Sequence, residues 1–531
     1  MIRRGRLLAT AAACCAVLAF GTACGGDSGS TAAPGTGGTG GPGGPGGEPV
    51  AGGTAQVMQI REPSSMDPVT MTNAWQISGF LGNALYGTLL VNDARTDEIH
   101  YTMAESFAST DNGATFTLRL RPGLLFSDGT ALDAAAVKIN WDRHRDPVLA
   151  SPYLSEASLI AATEVVDATT LAVRMTEPVP SFPRALLTTS MNWIASPAAL
   201  AGDRAAFDRA PVGAGPYTLK SWTRQDRIQL TRNARYWDAP RPYLDEITIR
   251  TSNDAGQRYN TLVSDGADIV IETNADSLAR AAKAGYTTDV TPLSGGLFLA
   301  MNMRRPPFDD LRARRAVAAA IDLEAFDLAV YNGAATTVDT LFSETSPLYV
   351  DTPLRRQDRA LAQRLFDELA AEGTPVSFTF TGYNTSEMKD TAENIQAQLS
   401  SFDNVTVDVR AVDFAENTRL ATTHDFDMLV WSSSFIDPDP RVWTAFRSDS
   451  RGNFPGVDDD QLDAALRTGR TATATEQRRA AYGTFQDRLV ALVPGVFTVR
   501  VNPGVMAAQD VGGVTQYGLG SLLPERLWIT R

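Results

Sequence analysis

The chain has 531 residues, of which 43% are hydrophobic and 20% charged, with a formal net charge of −14. A chain of that length buries several cores without covalent staples, and its acidic balance argues against nucleic acid and anionic lipid as partners. Its three cysteines, Cys14, Cys15 and Cys24, all lie near the start, which leaves the rest without a disulfide or a thiolate metal site.

Arg3, Arg4 and Arg6 precede an apolar run over residues 7–20, followed by Gly21-Thr22-Ala23-Cys24. A short apolar run behind positive charge predicts an export signal over 1–23, too short to span a bilayer permanently. The Arg3-Arg4 pair leaves the general secretory and twin-arginine routes both open. The small residues before Cys24 resemble a bacterial lipobox, with Gly21 where that pattern usually has an aliphatic residue. Cleavage after Ala23 without lipid would leave a lone thiol in an oxidising compartment, a liability that favours diacylation of Cys24. Residues 24–53 are nearly all Gly, Pro, Thr, Ser and Ala, a composition that cannot offset its ordering entropy and predicts a flexible tether.

Alternating patterns then predict strands over 55–121 and again over 217–271. Gly213, Gly215 and Pro216 predict a tight turn, through positive φ at glycine and the fixed φ of proline. A hairpin follows it, then an aromatic loop holding Tyr236, Trp237 and Tyr243, then a strand over 247–250. Helical spacing recurs at 134–144, 312–320, 359–372, 391–400 and 475–492. Strands at 376–381 and 405–412 flank the helix at 391–400 as a βαβ unit, with a further strand at 428–432, so this half reads as an open α/β lobe.

Three strings in the middle of the chain form one block: PVGAGPYTLKSW at 211–222, RNARYWDAPRPYLDEITIR at 232–250 and YNTLVSDGADIV at 259–270. This block resembles the core signature of the extracellular solute-binding family 5, which holds the oligopeptide-, dipeptide- and nickel-binding receptors of ABC importers. Residues 104–132, with their Phe-Ser-Asp-Gly turn, are similar to a second hallmark of that family. Residues 301–326 resemble its Asn-then-Pro-Phe segment and Arg-rich helix, and residues 426–443 resemble its late pocket strand with an Asp-Pro. The resemblance implies an α/β, two-lobed periplasmic-binding-protein-like fold (type II, cluster C-like) with an extra inserted domain. On this chain the first lobe would comprise 54–98, 211–293 and 496–531, the inserted domain 99–210, and the other lobe 294–495. It implies a monomer that traps a small solute between lobes and delivers it to ABC permease subunits, held to the membrane by its lipid anchor. It also leaves open a sensor docking to a membrane receptor, or a binder of a metal chelate or oligosaccharide.

Enzymatic patterns are weak. Ser386-Glu387-Met388-Lys389 matches Ser-x-x-Lys, but the Lys-Thr-Gly strand that this chemistry needs is absent. No Gly-x-Ser-x-Gly, His-Glu-x-x-His or Walker loop occurs outside the glycine-rich tether, so neither a cofactor nor a catalytic set is expected. His100, His144 and His424 stand far apart without ligand spacing, which reads as core or solvated histidine. Asp309-Asp310 and the pair Asp437/Asp439 lack a catalytic partner, and the run 458–460 reads as a solvated loop and helix N-cap.

The candidate binding residues lie elsewhere. Trp431-Ser432-Ser433-Ser434-Phe435 sets small hydroxyls between aromatics, able to stack on and hydrogen-bond an amphipathic solute. The same pattern fits a core strand; the family resemblance implies that its end contributes to the ligand wall. In peptide-binding relatives an Asp three residues after the Trp typically pairs with the ligand's α-ammonium, and here that position is Ser434. A neutral hydroxyl cannot compensate a buried cation. Trp75, Trp193, Phe298, Trp443 and Asn453 are further candidates, each equally able to be core.

Overall fold

The computed structural model describes residues 47–74 and 78–531. The export signal, Cys24, most of the tether and Trp75 lie outside the described residues.

Sequence alternation becomes a seven-stranded sheet, ordered Thr287–Val290, Gly504–Ala507, Ile269–Glu272, Thr54–Gln59, Glu246–Thr251, Arg227–Arg232, Tyr217–Thr223. Thr54–Gln59 runs parallel to both Glu246–Thr251 and Ile269–Glu272, so the carboxyl ends of these three strands point the same way. The hairpin after Pro216 forms as expected, with Tyr217–Thr223 antiparallel to Arg227–Arg232. The reason for its glycines differs from the expected one. Gly213 and Gly215 are not at positive φ; a Cβ there would lie 2.2 Å from the Leu85 carbonyl oxygen and 2.3 Å from that of Ala84. They are small so that this segment can lie against the backbone of helix Gly79–Tyr86.

A second, five-stranded sheet is ordered Val405–Val412, Val376–Tyr383, Met428–Phe435, Ser294–Met301, Gly495–Phe497. Val376–Tyr383 is parallel to Val405–Val412 and to Met428–Phe435, which is the βαβ arrangement. Its connecting helix starts earlier than the spacing predicts, at Ser386 rather than 391. Thr385 caps it, its hydroxyl accepting the Met388 amide, and so Ser386 and Glu387 fall in the first turn. Strand Gly495–Phe497 straddles the expected boundary at 496 and pairs within this sheet. Where Ser294–Met301 enters, Gly295 sits at φ 70° and a Cβ would lie 1.8 Å from the Ser433 carbonyl oxygen, so only glycine fits.

A third sheet, of four strands, is ordered Ala104–Ala108, Thr115–Leu120, Thr170–Met175, Ile160–Val165. Phe107, Phe116, Trp141 and Phe182 pack together beside it as its core. Helix Asp460–Thr471 faces this region: Arg470 bonds both Asp439 and Glu177.

Candidate binding cleft

Parallel strands place their following loops at one edge of a sheet, which is where open α/β sheets bind ligands. Both sheets present that edge to the same space. Ile60 and Arg61 follow Thr54–Gln59, Asn253 follows Glu246–Thr251, and Thr273 follows Ile269–Glu272. From the five-stranded sheet come Tyr383 at the end of its strand, Asp413 and Phe414 after Val405–Val412, and Trp431 and Ser432. Together they enclose a cavity of about 410 Å³. The volume lies within the range of small-molecule sites, and the lining mixes aromatics with a few polar groups as such sites do.

Side chains from the two sides meet across this cleft. The Ser386 hydroxyl donates to Asp254 Oδ2 at 3.1 Å, and the Arg61 guanidinium lies 4.0 Å from the centre of the Phe414 ring. Phe414 in turn stacks on Tyr383 at 5.5 Å, and Trp431 meets Phe454 edge-on at 4.4 Å. Below them Arg258 and Glu272 form a bidentate pair at 3.0 and 2.6 Å, with side chains 3% and 0% exposed. Glu272 also accepts the amides of Thr273 and Asn274, so this buried charge is satisfied. Glu387 accepts the Tyr331 hydroxyl at 2.7 Å; burial pushes its carboxyl up, against the pull of that hydrogen bond. Burial pulls Arg61 the other way, below the usual guanidinium range.

Of the residues singled out in the sequence, Trp431 and Ser432 line the cavity. Ser434 is half-buried and holds Ser432 through their hydroxyls at 3.2 Å. Ser433 and Phe435 are buried, Phe435 edge-on to Phe342. Four others are placed away from the cavity. Trp193 is 0% exposed, its indole N–H donating to Asn83 Oδ1 at 2.9 Å, so it is core. Phe298 packs between Phe446 and Phe497 and borders a separate cavity of about 240 Å³. Trp443 lies between the guanidiniums of Arg470 and Arg447 at 3.4 and 4.4 Å. Asn453 is fully buried and ties its own loop, accepting the amides of Gly456 and Val457.

Arg61, Tyr383 and Phe414 were missed. The usable signal was their place just at or past the carboxyl end of a parallel strand, which needs the pairing to be known. Ser386 and Lys389 do not form a reactive pair: Lys389 is 69% exposed and faces Glu393 at 3.7 Å. His144 is buried and bonded to Ser151, and His424 ends helix Phe414–Thr423 in the left-handed conformation. Asp310 and Asp459 cap helices, and Asp437 and Asp439 pair with Arg478 and Arg470. Among the described residues no cluster of His, Cys, Asp and Glu could hold a metal ion, and no helix is long and apolar enough to cross a membrane.

The family profile described as "Bacterial extracellular solute-binding proteins, family 5 Middle" matches residues 98–453. The glutathione-binding protein GsiB of Pectobacterium atrosepticum is 28% identical over 458 residues, 82% of this chain and 86% of that protein. GsiB of Escherichia coli K12 is 33% identical over 235 residues, 44% of this chain and 46% of its own. The binding protein AgaA from A. tumefaciens R10, solved with agropinic acid, superposes with a TM-score of 0.79 at 26% identity, covering 90% of this chain and 99% of its own. DppA from Helicobacter pylori, solved with the peptide STSA, gives 0.80 at 21% identity over 91% of this chain and 99% of its own.

Proposed function

This chain belongs to the bacterial extracellular solute-binding proteins of family 5 and has their two-lobed fold, and from that premise we propose that it captures a small peptide or peptide-like solute between its lobes and hands it to an ABC importer. The observation that carries this reading is the cavity of about 410 Å³ at the carboxyl ends of parallel strands from two separate sheets. A site built half on each sheet is complete only when the sheets approach. Solute bound there therefore shifts the population toward the closed form by as much as it prefers that form. The contacts Ser386–Asp254 and Arg61–Phe414 join the two sides of the cleft, so in this reading they would part when it opens.

In this reading the first lobe spans 54–98, 211–293 and the C-terminal segment, the inserted domain 99–210, and the other lobe runs from 294 to the end of strand Gly495–Phe497. The body is a monomer, lipid-anchored through Cys24 on the outer face of the cytoplasmic membrane and linked by its glycine-rich tether. It binds without making or breaking a bond. Binding of glutathione by one relative and of the peptide STSA by another supports a peptide-like solute.

The test is solute capture. Native mass spectrometry of the purified protein identifies a co-purified or added solute, which at about 100 times Kd stabilises the fold by about 2.7 kcal/mol. Recovery of chemically altered solute from enzyme-free protein would replace binding with hydrolysis.

A further inference from the structure

Every carboxylate around the cleft already has a partner inside the protein. Glu272 is held by Arg258, and Glu387 by the Tyr331 hydroxyl. Asp254 is held by Ser386 and the Gln257 amide, and Asp413 by the Glu416 amide. Arg61 is the exception. Its guanidinium lines the cavity, half-buried against the Phe414 ring, and makes no hydrogen bond or ion pair with any described residue. Its five N–H donors stand in a fixed fork on the cavity wall, open to a group entering the cleft.

Helices Ala255–Val263, Ser386–Leu399 and Phe414–Thr423 all begin at the cavity wall, the first and third already capped by the carboxylates of Asp254 and Asp413, which leaves Arg61 as the charged donor open to the solute.

We infer that Arg61 receives a carboxylate of the solute, so that this cleft prefers small organic acids to their neutral amides. The inference rests on the reading of the cleft as the solute site. A carboxylate matches the guanidinium fork with two parallel hydrogen bonds. Phe414 and Trp431 offer stacking faces for the solute's apolar part. Because Arg61 and Phe414 come from opposite lobes, the acid group would be met only as the cleft closes.

The experiment is competitive native mass spectrometry with a defined pool of small carboxylic acids, glutathione and N-acetylated dipeptides among them, each present with its primary amide. Small-angle scattering on the same mixtures reads closure. Wild-type protein is expected to bind acids over their amides by at least about tenfold, in line with loss of a charge-assisted pair. Arg61→Gln is expected to lose that preference, and Arg61→Lys to keep part of it. The unliganded melting temperature of Arg61→Gln is expected to stay near that of wild type, since only the contact with Phe414 is lost and no internal hydrogen bond; a structural role would lower it markedly. Amides bound as well as acids, with compaction, would overturn the role of Arg61 and leave the cleft reading standing. Arg61→Gln retaining the wild-type preference would do the same. No solute bound and no compaction would overturn both.

Discussion

The Arg61 guanidinium lies 4.0 Å from the centre of the Phe414 ring, and the two residues follow strands of different sheets. Neither neighbour is local: the contact exists because the two sheets face each other across the cleft. It places a cationic and an aromatic wall on one cavity, which also holds Trp431.

Two tryptophans separate binding from folding. Trp431→Ala removes cavity wall and is expected to weaken the bound solute by at least about 1 kcal/mol, with a smaller loss of stability than the core substitution Trp193→Ala. Trp193→Ala empties a core site and leaves Asn83 without the indole donor, so it is expected to cost about 3–5 kcal/mol of stability. Calorimetric titration beside urea unfolding checks both. A large affinity loss in folded Trp193→Ala would place that residue at the solute after all.

Strand patterning, the βαβ unit and the hairpin after Pro216 were legible because period-two alternation and turn residues are local. The helix at Ser386 was read late because its start depends on a cap at Thr385, and Ser386–Lys389 carries no apolar stripe. The cleft was half legible. Trp431 and Ser432 stood out by composition, whereas Arg61 follows an ordinary strand and matters only through the register that pairs Thr54–Gln59 with Glu246–Thr251. Phe298 and Trp193 misled because a buried aromatic and a wall aromatic look alike in sequence.

Arg470 is 2% exposed and gives two hydrogen bonds to Asp439, one to Glu177 and a stacked face to Trp443. Asp439 is as buried, and burial already pushes its carboxyl up against the pull of Arg470. Arg470→Leu therefore strands a buried acid and is expected to cost about 3–5 kcal/mol. Adding Asp439→Asn is expected to restore part of that loss. A urea double-mutant cycle reads the coupling, and simple additivity would contradict it.

The buried His144 sets a pH dependence. Burial first, then the neighbouring Arg143 charge, hold its pKa down at about 3. In the unfolded chain the ring titrates near about 6.5, so below that pH the unfolded state takes up a proton that the native state refuses. This contribution is complete above pH ~6.5 and is lost as pH falls toward ~3, at a slope approaching about 1.4 kcal/mol per pH unit. Stability curves of wild type and His144→Asn between about pH 7 and pH 4 test it. Parallel curves would show that His144 does not titrate this way.

Cys24 carries the proposed anchor. Stable membrane attachment takes two or more lipid chains, and a diacylated cysteine supplies them. Cys24→Ala is expected to release the protein to the medium or leave its signal uncleaved. Fractionation after a high-salt wash decides, and a variant that stays with membranes as the parent does would refute lipidation.

The central claim is capture of a solute by closure of two lobes, without chemistry. Small-angle scattering of the purified protein, before and after addition of a solute shown by native mass spectrometry to bind, measures it most directly. The account predicts a smaller radius of gyration with solute bound, reversal on its removal, and recovery of the solute unchanged. Binding with no compaction, or recovery of an altered solute, would contradict it.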